Sequence, residues 1–318
     1  PASPALATAI RVETTANEPN SRRVNVADNT IRGGALHGIQ LKRDAGPLQQ
    51  ITLTGNNIDG FKSDNAEPTM VGILMSGGDN GVPDQIVVDS NIVTRCFDGI
   101  EVRGFSDSFR ISNVNLTNNM ITFCAHDQAN PPPGNPVWGS MGSFGIGLYY
   151  TENTVVSGNT IDHIGMVIDD SANPIGFSDP VYSQGVLLMD AVDIGINDNT
   201  ITDIQGANKI AGILCTADSS GTNDVFDVRV VGNQIECPSA QYGVRFLGSS
   251  TNDPVTFTDV IITSNSIQGG KGAAQVERGI SLSAGLTADG SEGANFSRFV
   301  ISDNDIMFKL RGVYLFMV

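Results

Sequence analysis

Glu101 and Arg103 lie two residues apart in the alternating stretch 99–103 (GIEVR), with Asp98 just before its glycine and His126 and Asp127 in the segment that follows. Residues two apart on a strand project from the same face. A glycosidic bond is hydrolysed by two carboxylates, roughly 5 Å apart for retention or 6.5–9.5 Å for inversion. Glu101 with Asp98 or Asp127 has the residue types for that pair, the acid's pKa being raised by its partner. Elimination at a uronate needs instead a base for the proton alpha to the carboxylate and a cation for the enolate. Arg103, Lys42 and Tyr149 suit that chemistry, and His126 enters from the loop above. Trp138 follows a stiff proline-rich run, 131–136, that cannot add to a sheet; the pair offers a lip for sugar rings or packs against a neighbouring subunit. The plain alternative for Glu101 and Arg103 is a surface ladder pair contributing well under ~1 kcal/mol.

These roles depend on what holds the residues, and that is a repeat. In 185–201 (GVLLMDAVDIGINDNTI) a glycine opens an alternating strand, a tight corner follows, then a second alternating strand, Asn199 and Ile201. The second half, [apolar]-x-[VIL]-x-x-N-x-[IV], recurs nine times, at 24–31, 51–58, 86–93, 114–121, 154–161, 194–201, 228–235, 260–267 and 299–306. The first half, G-[IV]-x-[apolar], recurs in step from 38 to 312, and AIRV at 9–12 precedes them all.

Period-two alternation marks strands, and repeats about 27 to 40 residues long belong to solenoids and propellers. A propeller blade needs four antiparallel strands joined by hairpins; each period here has three strand signals and no Asn-Gly hairpin between them. The pattern predicts one chain winding three strands per turn, each stacked in parallel on its copy one coil below. The nine asparagines would stack at one corner, where Asn tolerates left-handed backbone and side-chain amides hydrogen-bond along the column.

This pattern resembles the right-handed parallel β-helix family, which includes pectate lyases, polygalacturonases, alginate epimerases and phage tailspikes. The resemblance implies an all-β, single-stranded right-handed parallel β-helix of nine to ten coils, with three parallel sheets and an Asn ladder. It implies that the G-I-x-L strands form the first sheet, whose outer face carries active sites in many members. The chain lacks the Asn-Thr-Asp, paired Asp-Asp, Gly-His-Gly and Arg-Ile-Lys set of the polygalacturonases. It also lacks the Asp-Pro-His-Asp stretch of the epimerases and the aspartate cluster of the calcium pectate lyases. Tailspike depolymerases share no short signature.

Residues 1–8 read as irregular linker or truncated start and 9–318 as a single β-helix domain, about 45 Å long at the strand spacing of stacked coils. The final stretch, GVYLFMV, carries no polar cap, which solenoids normally need, so a piece of a longer protein is expected. With 18 basic against 34 acidic residues the net charge is −16. That disfavours nucleic acid, which needs a basic stripe, and polyanionic glycans unless a divalent cation bridges. No apolar run reaches the ~18 residues of a membrane span, and Pro1 reads as a processed or truncated start, with no stretch here reading as a signal peptide. Cys96 and Cys124 occupy equivalent core positions in adjacent coils and read as buried thiols, with a disulfide the alternative. Cys215 reads as core.

The outward first-sheet positions are two and four residues past each glycine. They are polar and mixed in charge over the first five strands and largely apolar over the sixth to eighth, with Leu187, Met189, Leu214 and Leu247 facing out. An apolar patch over three coils implies a cover, either the 165–183 loop or another copy in a parallel trimer. The three histidines fall in different coils with no metal-ligand spacing. The acidic loops 77–81, 169–170 and 287–293 are candidates for calcium, though they read first as solvated. The function expected is polysaccharide binding, with hydrolase or lyase action, by a tailspike-like extracellular or virion (tail) protein. The alternative is a non-catalytic structural or adhesive shaft.

Overall fold

A computed structural model of the chain describes residues 8–14, 23–33, 37–43, 48–60, 71–78, 81–125, 143–165, 167–168, 174–176, 183–205, 210–217, 224–238, 240–248, 255–269, 278–284, 294–308 and 311–316. The strand Ile10–Thr14 and the nine G-[IV]-x-[apolar] strands that follow it, the last at Arg311–Phe316, form one sheet. The nine strands leading to the asparagines form a second, and the nine short strands after them a third. Pairing within these sheets is parallel and lays like on like. Ile100 lies between Ile73 and Ile146, Leu116 between Val88 and Val156, and Ile121 between Val93 and Ile161. One short antiparallel pair, Val167–Ile168 with Pro174–Gly176, falls where only a loop was expected. Among the described residues no helix is long and apolar enough to cross a membrane.

The inward columns are dry because each coil covers the one below. Ile73, Ile100, Ile146, Val186 and Ile213 have no exposed surface, and each such side chain contributes ~1.5–3 kcal/mol of burial. On the last coil the equivalent Val313 is 45% exposed. Cys96 and Cys124 lie in the core as free thiols, as do Cys215 and Cys237. Burial raises all four thiol pKa values, that of Cys237 to about 12.

The asparagines stack as expected: Asn119 Nδ2 donates to Asn159 Oδ1 at 3.0 Å, and Asn159 Nδ2 to Asn199 Oδ1 at 2.9 Å. Each amide also donates to a strand carbonyl, Asn159 to Leu116 O at 2.9 Å. The backbone reading needs correction. The left-handed residue is the one before each asparagine: Asp28, Gly55, Ser90, Asn118, Gly158, Asp198, Gly232, Ser264 and Asp303 all have φ between 53° and 68°. That residue takes the turn, freeing the asparagine to aim its amide along the column; Gly, Asp, Asn and Ser are types suited to such turns.

The first-sheet glycines serve a different need. A Cβ on Gly38 would lie 2.6 Å from both Gly72 O and the Ile58 γ-methyl, and one on Gly212 2.6 Å from the Ile235 γ-methyl. The strand enters so close to the third sheet that no side chain fits. The glycine occupies the inward corner, so the residue before it is turned out onto the face of the sheet.

Candidate functional site

The outer face of the first sheet therefore carries three columns of side chains, at one residue before each glycine and two and four after it. Phe144 lies over Gly147, its ring 2.6 Å from where a Cβ would sit. Tyr242 packs with Leu187 and Leu214 rather than with the main core. Sequence alternation alone assigns Phe144 and Tyr242 inward. The signal that could have found this column is the glycine itself, which breaks the period-two count.

Glu101 has no exposed surface although it lies on this outer face, and Asp98, in the adjoining column, is 1% exposed. The Glu101 carboxylate forms an ion pair with Nε of Arg103. The Arg103 guanidinium lies 4.4 Å from the centroid of the Tyr149 ring, which meets Phe144 edge-on at 6.0 Å. The Phe144 backbone N–H donates to Asp98 Oδ1 at 3.3 Å. Burial works against the Arg103 cation, but the Glu101 carboxylate and Tyr149 outweigh it and raise the pKa. Burial and then Glu101 push the Tyr149 phenol well above its usual range, against the opposing effect of Arg103. At neutral pH the phenol of this cluster is neutral and its guanidinium charged.

The structure thus gathers Glu101, Asp98, Arg103 and Tyr149 into one patch. Lys42 stands apart: two coils below, it lies 3.6 Å from Glu13 of the first coil. Asp127, His126 and Trp138 lie outside the described residues, as do the acidic segments 169–170 and 287–293 and part of 77–81. The Glu101–Arg103 contact is not the surface pair that alternation implies, because one partner is wholly covered.

The expected apolar patch is also covered. Leu187 is 7% and Leu214 8% exposed, and they form with Phe144, Tyr149, Ala211 and Tyr242 a second apolar cluster on the sheet's outside. Met189 and Leu247 pack against it. An exposed face awaiting another subunit is therefore not present at these leucines within the single chain.

At the far corner of the third sheet, the structure assembles a group that the separate-coil reading of the histidines missed. One ligand atom each of Asp162, His163 and Asp203 lies within 4.8 Å of the others. His163 and Asp203 both adopt left-handed backbone at this corner. His163 Nδ1 is 2.6 Å from Asp162 Oδ2, and its ring packs on Phe123 at 4.7 Å. Imidazole and carboxylate donors suit a divalent transition-metal ion, while the hydrogen bond to Asp162 already satisfies one ring nitrogen.

The model of the right-handed β-helix region matches residues 49–283. No curated protein matches the chain in sequence. Among solved structures, the A-module of mannuronan C-5 epimerase AlgE4 from Azotobacter vinelandii is 13% identical with a TM-score of 0.37, over 96% of this chain and 87% of that one. DFA-IIIase from Arthrobacter chlorophenolicus A6, in complex with DFA-III, is 12% identical with a TM-score of 0.41, over 90% and 63%. The Dettilon tailspike protein is 13% identical with a TM-score of 0.41, over 98% and 59%. With three parallel sheets, an unbroken asparagine ladder and a match over most of its length, the chain belongs to the right-handed β-helix family.

Proposed function

We propose that the chain is a polysaccharide-binding β-helix of an extracellular or virion protein, and that Glu101 acts on the glycan held along the first sheet's outer face. The observation carrying this reading is a fully buried carboxylate where the fold does not require one. The same column holds Gln40, Leu74, Leu187 and Leu214 in other coils. A buried titratable group with a specific charge partner is a candidate functional group. Glu101 and Asp98 are the candidate carboxylate pair, and Arg103 the cation for charge developing on substrate. No oligomer is part of the proposal, since Leu187 and Leu214 do not present a bare face.

Incubation with a panel of bacterial surface polysaccharides tests it, reading new reducing ends for hydrolysis and unsaturated-uronate absorbance for elimination. Fragments are expected from at least one glycan and are lost in Glu101→Gln, whose fold is checked by circular dichroism. Fragment release at the wild-type rate by a folded Glu101→Gln protein would sink the catalytic role. The ion pair that neutralises Glu101 with Arg103 favours a second reading, a non-catalytic shaft. That reading expects no fragments from any glycan and an effect of Glu101→Gln on stability alone.

A further inference from the structure

In the last three coils the same face carries an alternating stack of guanidinium groups and phenol rings. Arg245 lies 4.2 Å from the centroid of Tyr242, Arg278 5.8 Å from Tyr242 and 3.4 Å from Tyr314, and Arg311 4.7 Å from Tyr314. The strands Tyr242–Leu247, Arg278–Ser283 and Arg311–Phe316 are consecutive, with Tyr242 beside Arg278 and Arg278 beside Arg311. Three like charges are thereby held at neighbouring coil spacings in a chain whose net charge is −16.

Elsewhere most of the described arginines behave as this charge balance predicts, while Arg23 and Arg43 donate instead to Gln50 Oε1 and to Val82 O. Arg11, Arg95, Arg103, Arg110, Arg229 and Arg298 each meet a carboxylate. Among the described residues Arg245, Arg278 and Arg311 meet none; one weak contact, Arg278 Nη1 to Ser281 Oγ at 3.5 Å, is their only side-chain hydrogen bond. The Nε of Arg245 and that of Arg278 are buried and unpartnered. Burial, and then the nearby Arg278, lower the Arg245 pKa although Tyr242 supports the charge. Stacking uses the flat faces of the guanidinium groups, while their N–H donors lie in plane along the edge. A row of such edges matches a row of two-oxygen anions, which arginine binds in fork geometry.

We propose that Arg245, Arg278 and Arg311, spaced by Tyr242 and Tyr314, form a binding strip for the anionic groups of an acidic glycan, carboxylates or sulfates. The strip's affinity for anions stands on the arginines; that a glycan bears the anions rests on the function proposed above. The overall negative charge, which argues against polyanions for the chain as a whole, is locally reversed here among the described residues. A glycan lying along the rod would reach from this strip toward Glu101, four coils away or on the order of 19 Å.

The test is binding of polygalacturonate, dextran sulfate, uncharged dextran and polyglutamate to the full chain, each at low and high salt. At least one acidic glycan is expected to bind in a salt-sensitive manner and to raise the melting temperature. Its affinity should fall roughly tenfold or more in Arg278→Gln and in Arg311→Gln, the loss expected of a charge-assisted contact. Arg311 is exposed on the last coil, so its variant folds even if Arg278→Gln does not. Preference between the galacturonate and the sulfate identifies the anion. Affinity unchanged in both folded variants, or no salt-sensitive binding of either acidic glycan, overturns the strip. Polyglutamate binding as tightly as the glycans overturns the glycan assignment. Binding of uncharged dextran as tight as that of the acidic glycans overturns the strip while leaving glycan binding standing.

Discussion

A carboxylate removed from water is stable only beside a matching charge, and Glu101 is the clearest case in this chain. Breaking a buried pair costs about 3–5 kcal/mol, whereas replacing both partners with apolar groups is often neutral. Glu101→Leu alone should destabilise at the lower end of that range, because the Arg103 side chain is 31% exposed. Glu101→Leu with Arg103→Met should recover most of the loss, since leucine already fills this column at positions 74, 187 and 214. Urea unfolding of the two variants decides it; equal stabilities would show that the pair is not coupled. His37, 7% exposed at the start of the first-sheet strand His37–Arg43, has its pKa lowered to about 4 by burial and then by Arg11. Its neutral form belongs to the folded state, so its contribution is full above pH ~6.5 and disappears as pH falls towards 4, a loss of about 3 kcal/mol. Wild type should lose stability relative to His37→Gln across that window, and parallel curves for the two would contradict the assignment.

At the scale of the strand and its corners, two side-chain columns carry the winding. Asn159 donates to Asn199 and Leu116 and accepts from both the backbone and the side chain of Asn119. Asn159→Ala leaves several of these groups buried and unpaired at ~1–3 kcal/mol each, so a loss of at least about 3 kcal/mol is expected by thermal or urea unfolding. Gly185 leaves no room for a methyl group: a Cβ there would lie 2.5 Å from the Ile201 γ-methyl and 2.6 Å from Gly212 O. Gly185→Ala should cost about 1–3 kcal/mol by overpacking. Gly195, whose would-be Cβ meets only the Asn197 side-chain amide, should tolerate the same change far better. Similar losses at both glycines would refute close approach as the reason for the first.

The molecule as a whole is quasi-one-dimensional, each coil contacting its neighbours, so its stability is a sum of coil and interface contributions. Interior ladder asparagines such as Asn91 and Asn199 are at most 1% exposed, while Val313 and Leu315 of the last coil are 45% and 51% exposed. Local opening is cheapest where few apolar contacts hold the backbone. In a protein consisting of residues 1–318 alone, amide hydrogen exchange should therefore be slowest in the strands around residues 86–121 and 154–201, and faster by orders of magnitude in the strand Arg311–Phe316. Uniform protection along the rod would argue against the nearest-neighbour account.

Repetition made the winding legible from residue types alone: once each coil repeats the same local pattern, inward ladders and stacked asparagines follow without knowledge of distant contacts. The left-handed corner was written in the same motif, one residue before the asparagine, in the run of Asp, Gly, Ser and Asn that precedes it. The outer face was different. That Phe144, Tyr242 and Arg278 share a surface with Glu101's column depends on how closely a first-sheet strand approaches the third sheet at its glycine. The burial of Glu101 and Leu187 likewise depends on neighbours from other coils. Alternation is a property of one strand in isolation; the covering of its outer side chains is a property of the wound chain, and only tertiary structure decides it.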